Sequence, residues 1–79
     1  MAAVAYGSKV HTDDATVRYT FSVDPAVPEG EVVIPVDDVD GWRVDGREDK
    51  PSAARYVVMK AYREWSRTGE WPERVAFQS

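Results

Sequence analysis

The chain has no cysteine, no leucine and no asparagine, and it holds a single histidine in 79 residues. Without cysteine there are no disulfides, no iron–sulfur clusters and no zinc–cysteine sites. No apolar run approaches the roughly 18 residues that a membrane span requires. The opening MAAVAYGSKV lacks a basic stretch leading into a long apolar one, so no signal peptide is expected. The five glycines, at 7, 30, 41, 46 and 69, never fall at phosphate-loop or dinucleotide-fingerprint spacing. These absences point to a small acidic cytoplasmic protein rather than a secreted, membrane-embedded or nucleotide-dependent one.

Missing leucine also bears on the fold. Thirteen valines and nine aromatics must build the core instead. Valine is stiff at χ1 and, like the aromatics, fits the pleated surface of a strand. At 43% hydrophobic and 30% charged residues, the composition supports a packed core. The length supports one domain, residues 1–79.

Val17, Tyr19, Phe21 and Val23 alternate with Arg18, Thr20 and Ser22, the period-two pattern of a half-buried strand. Upstream, Val4, Tyr6 and Val10 share one parity across the polar turn Thr12–Ala15. Centring that turn on Asp13 and Asp14 sets Val10 opposite Val17, Tyr6 opposite Phe21 and Val4 opposite Val23, all on one face. The other face then carries Ala3, Ala5, Gly7, Thr16, Thr20 and Ser22, with Lys9 opposite Arg18. The prolines and glycine of Asp24–Gly30 predict a loop. A short strand follows from Glu31 to Val36, ended or placed at an edge by Pro35, which cannot donate to a ladder. Trp42-Arg43-Val44 is expected to hairpin back onto it from within the acidic turns of 37–49.

Ala54, Val57, Val58, Ala61, Tyr62 and Trp65 recur with helical period and predict an apolar stripe on a helix over 52–68. Asp49 or Ser52 is available to cap its start, Pro51 suits the first turn, and Gly69 supplies the stop. Val75 and Phe77 then stand at strand spacing. The expected fold is α+β: an antiparallel sheet of three to five strands, opened by an N-terminal hairpin, packed on one helix in the order β-β-β(-β)-α-β.

Motifs for chemistry are sparse. His11 lies near Ser8 and Asp13, but on a regular strand Ser8 and His11 point to opposite faces and cannot share a hydrogen bond without a bulge. Asp38-Val39-Asp40-Gly41 is reminiscent of the middle of a calcium loop, yet Val36 and Arg47 stand where such a loop needs acids. Residues 40–46, followed by an Arg-containing helix, resemble the second half of MbtH-like proteins, small activators of adenylation domains in non-ribosomal peptide assembly. That family's Asn-Pro-Phe-Asp and Ser-Leu-Trp-Pro segments have no counterpart here, and no residue takes a role from the likeness. The sequence thus assigns no catalytic, cofactor-binding or metal-ligating residue, and a non-enzymatic protein without cofactor is expected.

Charge is the informative feature. Residues 1–49 hold four basic side chains against eleven acidic ones, a balance of −7, and residues 50–79 hold six against three, a balance of +3; together they give the formal −4. The positive excess concentrates on one side of the helix. Opposite the apolar stripe lie Arg55, Tyr56, Met59, Lys60, Arg63 and Arg67, and Arg, Tyr and Met are the types enriched at interface centres. These six are the candidate partner-binding residues, with Tyr56 and Met59 expected to be exposed. The expected function is that of a regulatory or inhibitory module acting on a protein partner. A nucleic-acid binder using the same basic face is the rival, and a structural subunit, homodimerising through the flat sheet face, is the third reading.

Overall fold

The computed structural model describes residues 4–24 and 26–78. Ala3, assigned above to the flat sheet face, and Pro25, in the expected loop, lie outside them. Strands β1 (Val4–Thr12), β2 (Thr16–Phe21), β3 (Gly30–Pro35) and β4 (Arg43–Val44) precede helix α1 (Ser52–Thr68), and β5 (Arg74–Gln78) follows it. A short 3₁₀ turn, Val39–Gly41, lies between β3 and β4. The five strands form one sheet in the order β4-β3-β2-β1-β5, with every pairing antiparallel. This is the expected α+β fold, with the last strand returning to pair with the first.

Pattern and structure agree closely where punctuation is strong. The helix occupies the predicted residues and ends at Gly69, which takes φ 82° in the left-handed region and donates its N–H to the Trp65 carbonyl. Its start differs from expectation: Pro51 holds the cap position, and neither Asp49 nor Ser52 makes a side-chain cap. Pro35 ends β3, as a residue without a donor should. Val44 pairs with Val32, so the Trp42–Val44 segment does hairpin back onto β3.

The first hairpin is offset from the expected register, by two residues next to the turn and by one beyond a bulge. Thr12 pairs with Val17, His11 with Arg18 and Lys9 with Tyr19, and the register changes between Lys9 and His11, leaving Val10 as a bulge. Further along, Tyr6 bridges Ser22. Val17, Tyr19 and Phe21 are fully buried as anticipated. The β1 residues sharing their face, however, are Ala5, Gly7 and Lys9, while Val10 and Val23 are more than half exposed. The reason is the helix. A Cβ placed on Gly7 would lie 2.6 Å from the Thr20 carbonyl oxygen and 2.8 Å from Val57 Cγ1. No side chain fits there, so the small parity of β1 must face α1 and the large parity must turn outward.

The core between sheet and helix contains Ala5, Val17, Tyr19, Phe21, Val32, Ile34, Val44 and Val75 from the strands and Ala53, Ala54, Val57, Val58 and Ala61 from the helix. Tyr19 has no exposed surface, and its hydroxyl donates to the Pro72 carbonyl at 2.5 Å. Burial, with Glu73 nearby, pushes its phenol above the ordinary range. The predicted helical stripe stops short of its last two members. Tyr62 is 44% exposed, and Trp65, half-buried, stacks on Trp71 rather than entering the core (centroids 5.1 Å apart, planes within 9°).

Candidate functional site

The six candidate residues divide once they are placed. Met59 is 50% exposed, and Arg55 and Arg63 are exposed and make no ion pair among the described residues. Lys60 and Arg67 both pair with Glu64, Lys60 at 3.8 Å, through the i,i+4 and i,i+3 neighbour relations of a helix surface. Tyr56 corrects the expectation of an exposed ring. It is half-buried and stacks face to face on Phe77 of β5, with centroids 4.5 Å apart and planes within 2°.

Between α1 and β5 these residues shape a shallow depression of about 470 Å³, lined by Met59, Lys60, Tyr62, Arg63, Ser66, Arg67 and Phe77. Its base is apolar, supplied by Met59, Tyr62 and Phe77. Its rim is cationic, supplied by Lys60, Arg63 and Arg67. Four of the six candidates therefore line one surface, Tyr56 supports it from beneath through Phe77, and Arg55 stands apart from the depression.

The opposite flank of α1 holds a second groove, of about 450 Å³, that the sequence did not single out. Val36, Asp37, Asp38, Val39, Asp40 and Trp42 form one wall, and Val58, Met59, Tyr62 and Trp65 form the other. Tyr62 and Trp65 lean together across one turn with centroids 5.8 Å apart. Two of the acids of 37–49 are committed to cations. Asp45 pairs with Arg18 at 3.3 Å and Arg43 at 3.6 Å across the outer sheet face, and Asp49 chelates Arg47, at 2.9 Å and 2.5 Å. That chelation lowers the Asp49 carboxyl and raises the Arg47 guanidinium relative to their ordinary values. Asp37, Asp38 and Asp40, by contrast, have no cationic partner among the described residues. Lys50 sits 4.6 Å over the Trp42 ring, a cation–π contact at the end of this wall.

The outer sheet face is not the small-residue platform that was expected. Ala5 and Gly7 lie under the helix, and the outward residues include Tyr6, Ser8, Thr20 and Arg74 around a cavity of about 590 Å³. Lys9 is not opposite Arg18; its ammonium reaches Glu73 at 2.9 Å and the Trp71 carbonyl at 3.2 Å.

The bulge at Val10 brings Ser8 and His11 to one face, removing the parity argument against their contact. His11 nevertheless bonds Asp13, with Nε2 2.9 Å from Oδ2. Asp13 also accepts the amides of Ala15 and Thr16 at 2.8 Å each. The His11 bond, followed by these two amides, holds its carboxyl down at about 2. Among the described residues, no group of three or more His, Asp or Glu side chains is placed to hold a metal, and no helix is long and apolar enough to cross a membrane.

Neither a protein-family model, nor a curated protein, nor a solved structure matches this chain, and the likeness of residues 40–46 to MbtH-like proteins is unaccompanied by any family match.

Proposed function

We propose that the chain is a non-enzymatic, cytoplasmic protein-interaction module, regulatory or inhibitory in kind, that engages a protein partner through the outer face of α1. The observation that carries this reading is the depression beside β5. Exposed Met59 and Tyr62 meet Phe77 at its base, and Lys60, Arg63 and Arg67 ring it. An apolar centre inside a charged rim is the usual anatomy of an interface, with the centre supplying affinity and the rim supplying orientation. A protein surface presenting an apolar side chain flanked by carboxylates would fit it.

Nucleic acid fits the same surface less well. Lys60 and Arg67 already hold Glu64, and the Tyr56 ring is engaged by Phe77 and not free to stack on a base. Non-specific affinity grows with the number of phosphates neutralised, and Arg63 with Arg55 offers few.

The test is affinity capture from the native host with the wild-type chain and with Met59→Glu and Arg63→Glu, each checked for native circular dichroism. Partners retained by the wild type and lost by both variants support the reading. Equal capture by all three overturns it. A titration against single- and double-stranded DNA and RNA at about 50 mM salt decides the rival, since binding that falls steeply with added salt would replace a protein partner with nucleic acid.

A further inference from the structure

The two flanks of α1 are opposite in sign. On the β3–β4 side stand Asp37, Asp38 and Asp40; on the β5 side stand Lys60, Arg63 and Arg67. Between them runs a ridge in which Ser52, Met59 and Ser66 recur every seven residues and therefore share one line along the helix. We propose that this face binds a second copy of the same chain, in a two-fold dimer whose axis runs parallel to α1 along that ridge. The proposal deepens the reading of the α1 face as a binding surface and rests on it.

Charge complementarity selects the axis. A two-fold axis parallel to the helix turns the acidic flank of each copy onto the basic flank of the other, on both sides at once. An axis across the helix would instead lay acid on acid and base on base. An isologous contact must be self-complementary, and only the first arrangement is. The acidic flank is uncommitted: among the described residues, Asp37, Asp38 and Asp40 have no ion-pair partner within their own chain, and on the basic flank Arg63 has none, while Lys60 and Arg67 share Glu64.

The apolar centre fits the same operation. Met59 and Tyr62, 50% and 44% exposed, are the two large apolar side chains left open on α1, and both adjoin the axis. Tyr62 leans to the acidic side, so the two-fold sets its ring toward Arg63 of the other copy, in reach of a cation–π contact. The area is adequate. The helix of 17 residues is about 25 Å long at 1.5 Å per residue, and a strip spanning both grooves covers roughly 600–800 Å² per copy. That is the lower end of stable interfaces, consistent with a dimer half-formed between about 1 and 100 μM. Each copy carries −4, so the attraction must come from local pairs rather than from net charge.

The absence of cysteine makes the geometry directly testable. Ser52 and Ser66 are exposed at opposite ends of the ridge, and Ser8 is exposed on the far face of the sheet. In the proposed dimer, with dissolved oxygen as the two-electron oxidant, Ser52→Cys and Ser66→Cys each oxidise with themselves to a disulfide-linked dimer, at least tenfold faster than Ser8→Cys at equal concentration. Sedimentation equilibrium of the unmodified chain shows dimer in the stated range. Arg63→Glu weakens association tenfold or more, and adding Asp38→Lys in the same chain restores much of it.

A chain that stays monomeric to about 1 mM overturns the proposal, as does crosslinking that requires mixing the Ser52→Cys and Ser66→Cys proteins, the signature of antiparallel helices. If the monomer still captures a partner that Arg63→Glu loses, the dimer fails and the interaction reading survives. If it is monomeric and captures nothing that depends on Arg63, both fail.

Discussion

Gly7→Ala should be among the most damaging single-methyl additions in this protein. The new Cβ meets the Thr20 carbonyl oxygen at 2.6 Å and Val57 Cγ1 and Cγ2 at 2.8 Å and 3.2 Å. The Thr20 oxygen belongs to the backbone of β2, and Val57 is fully buried, so neither neighbour can rotate aside. Relief requires α1 or β2 to move by several tenths of an ångström, and over-packing of this kind costs about 3 kcal/mol at the upper end of its usual range. Alanine recovers about 0.5–1 kcal/mol because it gives up less backbone freedom than glycine. The net loss is about 2 kcal/mol, a large fraction of the roughly 4–12 kcal/mol expected for a domain of this size.

In urea, with a slope near 1 kcal/mol per molar, the unfolding midpoint falls by about 2 M. Gly41→Ala is the control. Its Cβ also makes a close contact, 2.8 Å to Asp38 Oδ2, but a carboxylate at the end of a flexible side chain can turn away, and the cost stays below about 0.5 kcal/mol. Placing Gly7→Ala in a Val57→Ala background removes the Val57 contacts and should return about 1 kcal/mol as a coupling energy. A Gly7→Ala variant within 0.5 kcal/mol of wild type, or a coupling of zero, would refute the packing argument.

Tyr19→Phe should cost about 1–2 kcal/mol by leaving the Pro72 carbonyl without its donor, measured by urea unfolding. Because the folded phenol titrates above its ordinary 10.0, the stability tied to it is complete below pH 10 and declines as pH rises beyond that. Melts between pH 9 and 11 should therefore fall more steeply for wild type than for Tyr19→Phe. Asp13 behaves in the opposite sense: its carboxyl is held at about 2 against 3.8, so its contribution is complete above about pH 4 and lost as pH falls toward 2. Carboxyl NMR should show that midpoint in wild type and a shift toward the ordinary value in His11→Ala. Gly69→Ala should cost about 1 kcal/mol, since alanine must take the left-handed φ of 82° that ends the helix, and hydrogen exchange should report fraying confined to the last turn.

The sequence revealed those parts of the fold that local rules control. Pro51 and Gly69 bound a stretch of helical period, so α1 could be drawn to the residue. Pro35 could stop β3, and Val75 with Phe77 could announce β5. Side-chain size alone misplaces the hairpin register, because it puts the large parity of β1 inward. Size fails as the guide where a helix lies close, since the strand directly beneath it needs its smallest residues. A clue was present on both partners: Ala5 and Gly7 on β1 match Ala53, Ala54 and Ala61 on α1. The bulge at Val10 was not legible, because nothing in Lys9-Val10-His11 distinguishes a bulged strand from a regular one. Of the candidate surface, the cations and Met59 follow from helical period alone. Phe77, which completes the depression and withdraws Tyr56 from solvent, and the acids of the opposite groove arrive from other elements, and only the strand order brings them to α1.

The close approach of helix and sheet also explains why the exposed face is aromatic. With Val57 against Gly7, and Ala5, Ala53, Ala54 and Ala61 in the same core, the space beneath α1 admits valine and little larger from the helix side. Tyr56, Tyr62 and Trp65 cannot enter it, and each goes to a flank: Tyr56 onto Phe77, Trp65 onto Trp71, and Tyr62 against Trp65 at the edge of the acidic groove. A leucine-built core would have held the helix farther out and drawn such side chains inward. Here the valine-and-alanine buried face of α1 and its aromatic flanks are one consequence of a single packing distance. The flanks inherit opposite charge because the acidic β3–β4 connection and the basic side of α1 fall on either side of the same ridge. A surface with Met59 on its central ridge, Tyr62 beside it and opposite charges at its two margins is self-complementary under one rotation, and the core packing that keeps Tyr62 outside therefore also shapes the proposed dimer.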